Sequence, residues 1–320
     1  MEDRKIVFKC RSGSHLYGLN TPQSDVDFMS VIMPLPKDLL GLQQLEEIDN
    51  STKSSSENRR NTADDIDDHQ YTLLRFVHLI MHANPEKTES LFAEPKNIEL
   101  IEPEVQFLIN NRDKLISKRV LHSFSGFAYS QKSKLIVKKE RFGSLCETVD
   151  FMEKNFSVDR LTTNSNDLTE EEAANLNKML KHYKGSKNNC ESFHKGLSPK
   201  MIHERLVSER DNYGWRVKTD SFSSLGYDIK FFYHCIRLLD ECRQLLETGE
   251  IIYPFSGKVY DDIMSIRNGK ISYERAMEMF DEYQVLVDKV SDFNILRDKP
   301  DFNFVNNWLI ETQLNYFKSI

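Results

Sequence analysis

Two short apolar runs lie near the start of the chain, separated by a segment rich in turn-forming residues. This stretch constrains the fold more than any other. Residues 6–10 read Ile-Val-Phe-Lys-Cys, the nearly unbroken apolar pattern of a strand covered on both faces. Residues 26–33 read Val-Asp-Phe-Met-Ser-Val-Ile-Met and predict a second strand, stopped by Pro34 and Pro36. Gly13, Gly18, Asn20, Pro22 and Ser24 fall between them and predict a turn or a very short helix.

That connection carries a chemical pattern. Asp25 and Asp27 flank a single residue at the start of the second strand. Side chains alternate along a strand, so the two carboxylates share a face. Two like charges side by side are costly unless a cation neutralises them, and hard oxygen ligands suit Mg²⁺, with Mn²⁺ as the second candidate. Gly13 and Ser14 follow the first strand and offer backbone N–H groups and a hydroxyl; a helix beginning there would attract a phosphate. The whole would be a phosphate cradle facing a metal platform, the arrangement that two-metal phosphoryl transfer uses. A lone Asp-x-Asp is usually a solvated strand end, and Gly-Ser alone carries no information: this chain has three, at Gly13, Gly143 and Gly185. Only the first is followed, ten residues later, by Asp-x-Asp. By chance, on the order of one Gly-Ser in two hundred would be.

The rest of the chain sets bounds. Its 320 residues suit two domains better than one. Net charge −7 argues against nucleic-acid binding over the whole surface and leaves room for a local basic groove. Cys10, Cys146, Cys190, Cys235 and Cys242 are odd in number and include no Cys-x-x-Cys pair. Free thiols in a reducing cytoplasm, with neither zinc site nor disulfide framework, are the expectation. The charged first twenty residues predict no signal peptide, and no apolar run is long enough to span a membrane.

Residues 49–62 hold many Ser and Asn and predict a loop, followed by acids at Asp64, Asp65, Asp67 and Asp68. Leu73, Phe76, Val77 and Ile80 recur at helical spacing, and Asn84-Pro85 ends that helix. Beyond about residue 100 the pattern is almost wholly helical. Thr169 with Glu172 spells a capping box with Leu168 as its staple. Residues 178–205 are rich in Lys and Arg, and Tyr183, Phe193 and His194 among them could stack on RNA; a solvated helix and loop is the competing reading. Residues 214–226 look like a connection. Residues 227–246 form the clearest helix, with Phe232, Cys235, Leu239, Cys242 and Leu246 as its buried stripe and Gly249 as its cap. Lys230, His234, Arg237 and Glu241 stand at i, i+4, i+7 and i+11 on another face of it. Such a line of cations could bind a triphosphate, and its spacing equally fits an exposed face with ordinary Arg–Glu pairing.

Gly-Ser, ten residues and Asp-x-Asp together resemble the signature of the DNA polymerase β-like nucleotidyltransferase superfamily. The fuller run GSHLYGLNTPQSDVDFMSV resembles one branch, the predicted nucleotidyltransferase family of phages and bacterial RNA-repair loci. The blocks YTLLRFVHLIMHANPEKTESLF (71–92), SFSGFAYSQKSKL (123–135) and GYDIKFFYHCIRLLDECRQLLETGEI (226–251) are similar to that family's later segments. Residues 145–210 and the last thirty look peculiar to this chain or a narrow subgroup.

The resemblance implies an α+β fold. A small mixed sheet with helices would form a catalytic domain over residues 1–100. A mostly helical domain over 101–320, with an insertion at about 145–210, would close the active-site cleft. It implies a third metal-side acid on a later strand. Counting back from Phe76 favours Asp67, although related sequences often carry another acid where this chain has His69. The implied site is Asp25, Asp27 and Asp67 for metal and catalysis, with Gly13, Ser14, Lys230, His234 and Arg237 for the nucleotide. The implied reaction uses two Mg²⁺ ions to move a nucleoside monophosphate from an NTP, ATP foremost, to an acceptor hydroxyl. An RNA end leads as acceptor. Small relatives that resemble antitoxins make a partner protein the second, and a non-catalytic nucleotide- or RNA-binding protein is the third reading.

Overall fold

The structure, a computed structural model, describes residues 4–22, 24–42, 44–50, 66–180, 193–218, 227 and 229–320. Both expected strands are present. β1 (Ile6–Arg11) leads through the single short helix α1 (Gly13–Tyr17) to β2 (Val26–Ile32). After α2 (Pro36–Leu40) come β3 (Glu47–Asp49) and β4 (Ile66–Thr72). Then follow α3 (Leu73–Met81), α4 (Pro85–Ser90) and β5 (Ile98–Ile101).

The five strands form one mixed sheet in the order β3-β4-β2-β1-β5. β2 and β4 run parallel and the other pairs antiparallel. β1 is paired on both edges and apolar, so Val7, Phe8 and Cys10 are fully buried. α3 spans the residues that the periodicity marks, and its stripe of Leu73, Phe76, Val77 and Ile80 is buried. Asn84 ends that run and starts α4, its Oδ1 accepting the Lys87 N–H at 3.3 Å.

Beyond β5 the described residues are mostly helical: α5 (Pro103–Asn110), α6 (Arg112–Leu115), α7 (Gly126–Asn155), α8 (Val158–Thr162), α9 (Glu170–Met179), α10 (Pro199–Lys218), α11 (Ile229–Thr248), α12 (Gly257–Arg267), α13 (Tyr273–Ser291) and α14 (Phe302–Ser319). No helix among the described residues is long and apolar enough to cross a membrane. The capping box on α9 is formed, with Leu168 buried beside it. Gly249 follows α11, its N–H bonded to Leu245 O at 2.9 Å. One local expectation fails: residues 214–218 continue α10 rather than opening a connection, because nothing before Lys218 breaks the helix strongly enough. Residues 219–226 lie outside the described residues.

The chain divides into two compact units. The first comprises Met1–Ala128, Ile236–Ser265 and Glu278–Ile320, and so holds the sheet together with helices from the far end of the chain. The second comprises Tyr129–Cys235 and Ile266–Met277. Within the second unit, Leu145, Val149, Met152, Phe156, Leu168, Leu176, Ile202 and Leu206 share one buried cluster, so the stretch near 145–210 builds a core of its own.

Candidate active site

Parallel pairing of β2 with β4 sets Asp27 directly beside Asp67. Asp25 sits one residue before β2 begins. One carboxylate oxygen from each of Asp25, Asp27 and Asp67 lies within 4.8 Å of the others, and all three residues are half-buried. Three hard anionic donors gathered this closely are a donor set that fits a divalent cation. Of the two candidates among the described residues, Asp67 and Asp68, it is Asp67 that joins the pair. Asp68 points through the other face of the sheet. It accepts a hydrogen bond from Ser30 Oγ at 2.8 Å and stands 3.5 Å from Lys9 Nζ. Lys9 lies on that face too, 4.4 Å from the centre of the Phe28 ring. Asp64 and Asp65 lie outside the described residues, and His69 is exposed.

The Gly-Ser turn packs on this centre. Gly13 has φ +60°, in the left-handed region that side chains disfavour, and a Cβ there would stand 2.7 Å from Asp27 Oδ2. Only glycine lets the backbone come so near the carboxylate. The Ser12 N–H donates to Asp27 O at 2.8 Å and pins the end of β1 to β2. Ser14 is the second residue of α1, and its carbonyl accepts the Leu19 N–H at 2.9 Å. Gly18, at φ +71°, ends α1 against Pro254, where any Cβ would collide. His15 is half-buried, its Nε2 without a hydrogen-bond partner among the described residues.

The polar positions along α11 have different surroundings. Lys230 is exposed and His234 half-buried, with its ring 4.3 Å from that of Tyr233; both belong to the second compact unit. Arg237 belongs to the first and is only 6% exposed. Its Nη1 lies 2.9 Å from Glu241 Oε1 and 2.6 Å from Glu89 Oε1, the latter an ion-pair contact off the hydrogen-bonding direction. Its guanidinium stacks 4.2 Å from the centre of the Tyr17 ring. Arg237 is thus buried among these partners and does not face solvent. The reason is physical: Ile236, Arg237, Leu238, Leu239, Asp240, Glu241 and Cys242 are all buried, so two turns of α11 have no exposed face at all. Polar side chains on a submerged helix must pair inside the protein.

Sequence reasoning missed the partners in this cluster. Tyr17 OH donates to Glu89 Oε2 at 2.6 Å, and Tyr253 OH donates to Glu241 Oε1 at 2.8 Å. Burial, with Glu89 adding to it, holds the Glu241 carboxyl well above the usual carboxylate range in spite of Arg237. No signal within α11 points to these partners, because Arg237, Asp240 and Glu241 share one side of the helix, as residues of a solvated face would. In the basic stretch, Phe193 packs against the second unit's core and exchanges hydrogen bonds with Asn177 at 2.7 and 2.8 Å, so it is no open stacking platform. Tyr183 lies outside the described residues. Cys10, Cys146, Cys235 and Cys242 are free thiols, and Cys190 is outside the described residues.

Residues 1–276 match the model of RlaP, the RNA repair pathway DNA polymerase beta family. The chain belongs to this family. The RlaP match takes in the whole sheet, the three acids and the Gly-Ser turn, together with α11 and α12. A protein of Enterobacteria phage T4, described as an uncharacterized 38.9 kDa protein in the nrdC-mobD intergenic region, is 25% identical over 342 aligned positions. That alignment covers 98% of this chain and all of the phage protein. No solved structure matches the chain.

Proposed function

We propose that this RlaP-family chain transfers a nucleoside monophosphate from an NTP, ATP foremost, to an acceptor hydroxyl with release of pyrophosphate. An RNA end is the leading acceptor. The observation that carries the reading is the meeting of Asp25, Asp27 and Asp67 beside the Gly13 backbone. These three carboxylates would hold Mg²⁺ or Mn²⁺. Two such ions supply charge neutralisation on the triphosphate and activation of the attacking hydroxyl.

The chain's own groups divide the remaining work. Asp67, on the strand next to Asp27, assists removal of the acceptor proton. Gly13 and Ser14 bring backbone N–H groups and a hydroxyl to the triphosphate, since the first N–H groups of a helix have no partner within it. The setting is a reducing cytoplasm, the host's for a phage-borne gene.

The acceptor is read directly by incubating the protein with α-labelled nucleotides, Mg²⁺, an RNA pool and host lysate. The expected outcome is label on RNA. Label on a protein band and never on RNA would overturn the RNA acceptor and leave protein nucleotidylation in its place.

A further inference from the structure

Both ends of α1 are held. At its start the Ser12 N–H donates to Asp27 O at 2.8 Å, and Gly13 leaves no room for a Cβ beside Asp27 Oδ2. At its end Tyr17 lies inside the cluster of Glu89, Arg237, Glu241 and Tyr253, each at most 6% exposed. Tyr17 is fixed there by its phenol on Glu89, by its ring under Arg237, and by its carbonyl, which accepts the Phe255 N–H at 3.1 Å. All of these residues belong to the first compact unit.

We infer that this buried cluster is a positioning device for the Gly13–Ser14 turn, and that Arg237 acts on the reaction through Tyr17 rather than by touching nucleotide. A five-residue helix has too few internal hydrogen bonds to hold its own place, so its position is set by what grips its ends. The grip at Tyr17 is a network of charged groups without water access, in which removing one partner strands the others. Losing it frees α1 to shift against Asp27, and small misplacements near a reacting centre are expensive. The inference rests on the nucleotidyltransferase reading, because a positioned triphosphate cradle presupposes a triphosphate.

The test uses the full chain and three variants, Glu89→Gln, Arg237→Met and Tyr17→Phe. For each we would measure binding of Mn²⁺ alone, binding of a non-hydrolysable ATP analogue with Mn²⁺, and amide hydrogen exchange. Positioning predicts that Glu89→Gln and Arg237→Met each weaken the analogue by roughly tenfold, with Tyr17→Phe weaker in the same direction. Mn²⁺ binding would be unchanged, and exchange would quicken at residues 13–19 while β2 and β4 stay protected. If Arg237 contacts phosphate itself, Glu89→Gln tightens the analogue by removing a competing anion, which would overturn the inference. Faster exchange throughout β2 and β4 with parallel loss of Mn²⁺ would overturn it too, marking a purely structural role. If Arg237→Met does not fold, Glu89→Gln and Tyr17→Phe carry the same comparison. An analogue that binds wild type, fails on the Asp25→Asn/Asp27→Asn protein and is untouched by the cluster variants rejects positioning alone. An analogue that does not bind wild type rejects the nucleotidyltransferase reading and this one with it.

Discussion

Asp67 and Asp68 are neighbours on β4 with opposite surroundings, because successive strand side chains face opposite sides of the sheet. Asp67 joins Asp25 and Asp27; Asp68 is buried against Ser30 and Lys9. Asp67→Asn is therefore expected to lower turnover by about a hundredfold or more at unchanged stability. Asp68→Asn is expected to cost about 1–3 kcal/mol of stability while turnover stays near wild type. Denaturant unfolding and single-turnover rates on the two variants check the pair. Equal loss of turnover in both would show that the two faces are not chemically distinct. At this scale the Asp25–Asp27 pair was legible in the sequence, since a period of two is a local fact, whereas Asp67 was reached only through the family resemblance. The surroundings of Arg237 were not legible. Its burial comes from chain that lies far away in sequence, at Tyr17, Glu89 and Tyr253, and no spacing within α11 reports that.

Among the elements, α9 shows a helix start that reads well and does more than cap. Glu172 Oε2 accepts the Thr169 N–H at 2.9 Å, as the capping box requires. The same carboxylate takes Arg160 Nη1 at 2.6 Å and Nη2 at 3.0 Å, tying α9 to α8. Arg160, which also lies 4.8 Å from the centre of the Phe156 ring, holds the Glu172 carboxyl down at about 2. A carboxyl depressed by folding stabilises the native state above its unfolded value of 4.5, and that stability is lost as pH falls through about 2. Partial exposure screens the pair, so Glu172→Gln should cost about 1–2 kcal/mol at neutral pH. The gap between variant and wild type should narrow from pH 4.5 downward and close near pH 2. Urea melts at pH 7 and pH 3 measure it, and a pH-independent gap would show that packing, not charge, carries the effect. The box was legible because its signals lie within four residues. The Arg160 partner was not, because it depends on how α8 meets α9.

Taken whole, the molecule gathers its candidate centre from separated parts of the chain. The sheet unit takes in residues 236–265 and 278–320 as well as the first 128, so helices from the far end of the sequence share a unit with the sheet. Periodicity reports which face of a helix is apolar and not which distant surface will cover it. Two strands of the sheet, β1 and β2, were readable, since they are short apolar runs bounded by turn residues; β3, β4 and β5 carry charged residues among the apolar ones and were not. The central claim, metal-dependent transfer of a nucleoside monophosphate, belongs to this scale because it needs β1, α1, β2 and β4 assembled together. Its most direct measurement follows ATP labelled at the α-phosphate or at the γ-phosphate, with and without Mg²⁺, in wild type and in the Asp25→Asn/Asp27→Asn protein. The account predicts that α-label becomes bound to an acceptor and γ-label leaves as pyrophosphate, only with the metal and only in wild type. Transfer of the γ-label, or biological activity undiminished in the double variant, would contradict it.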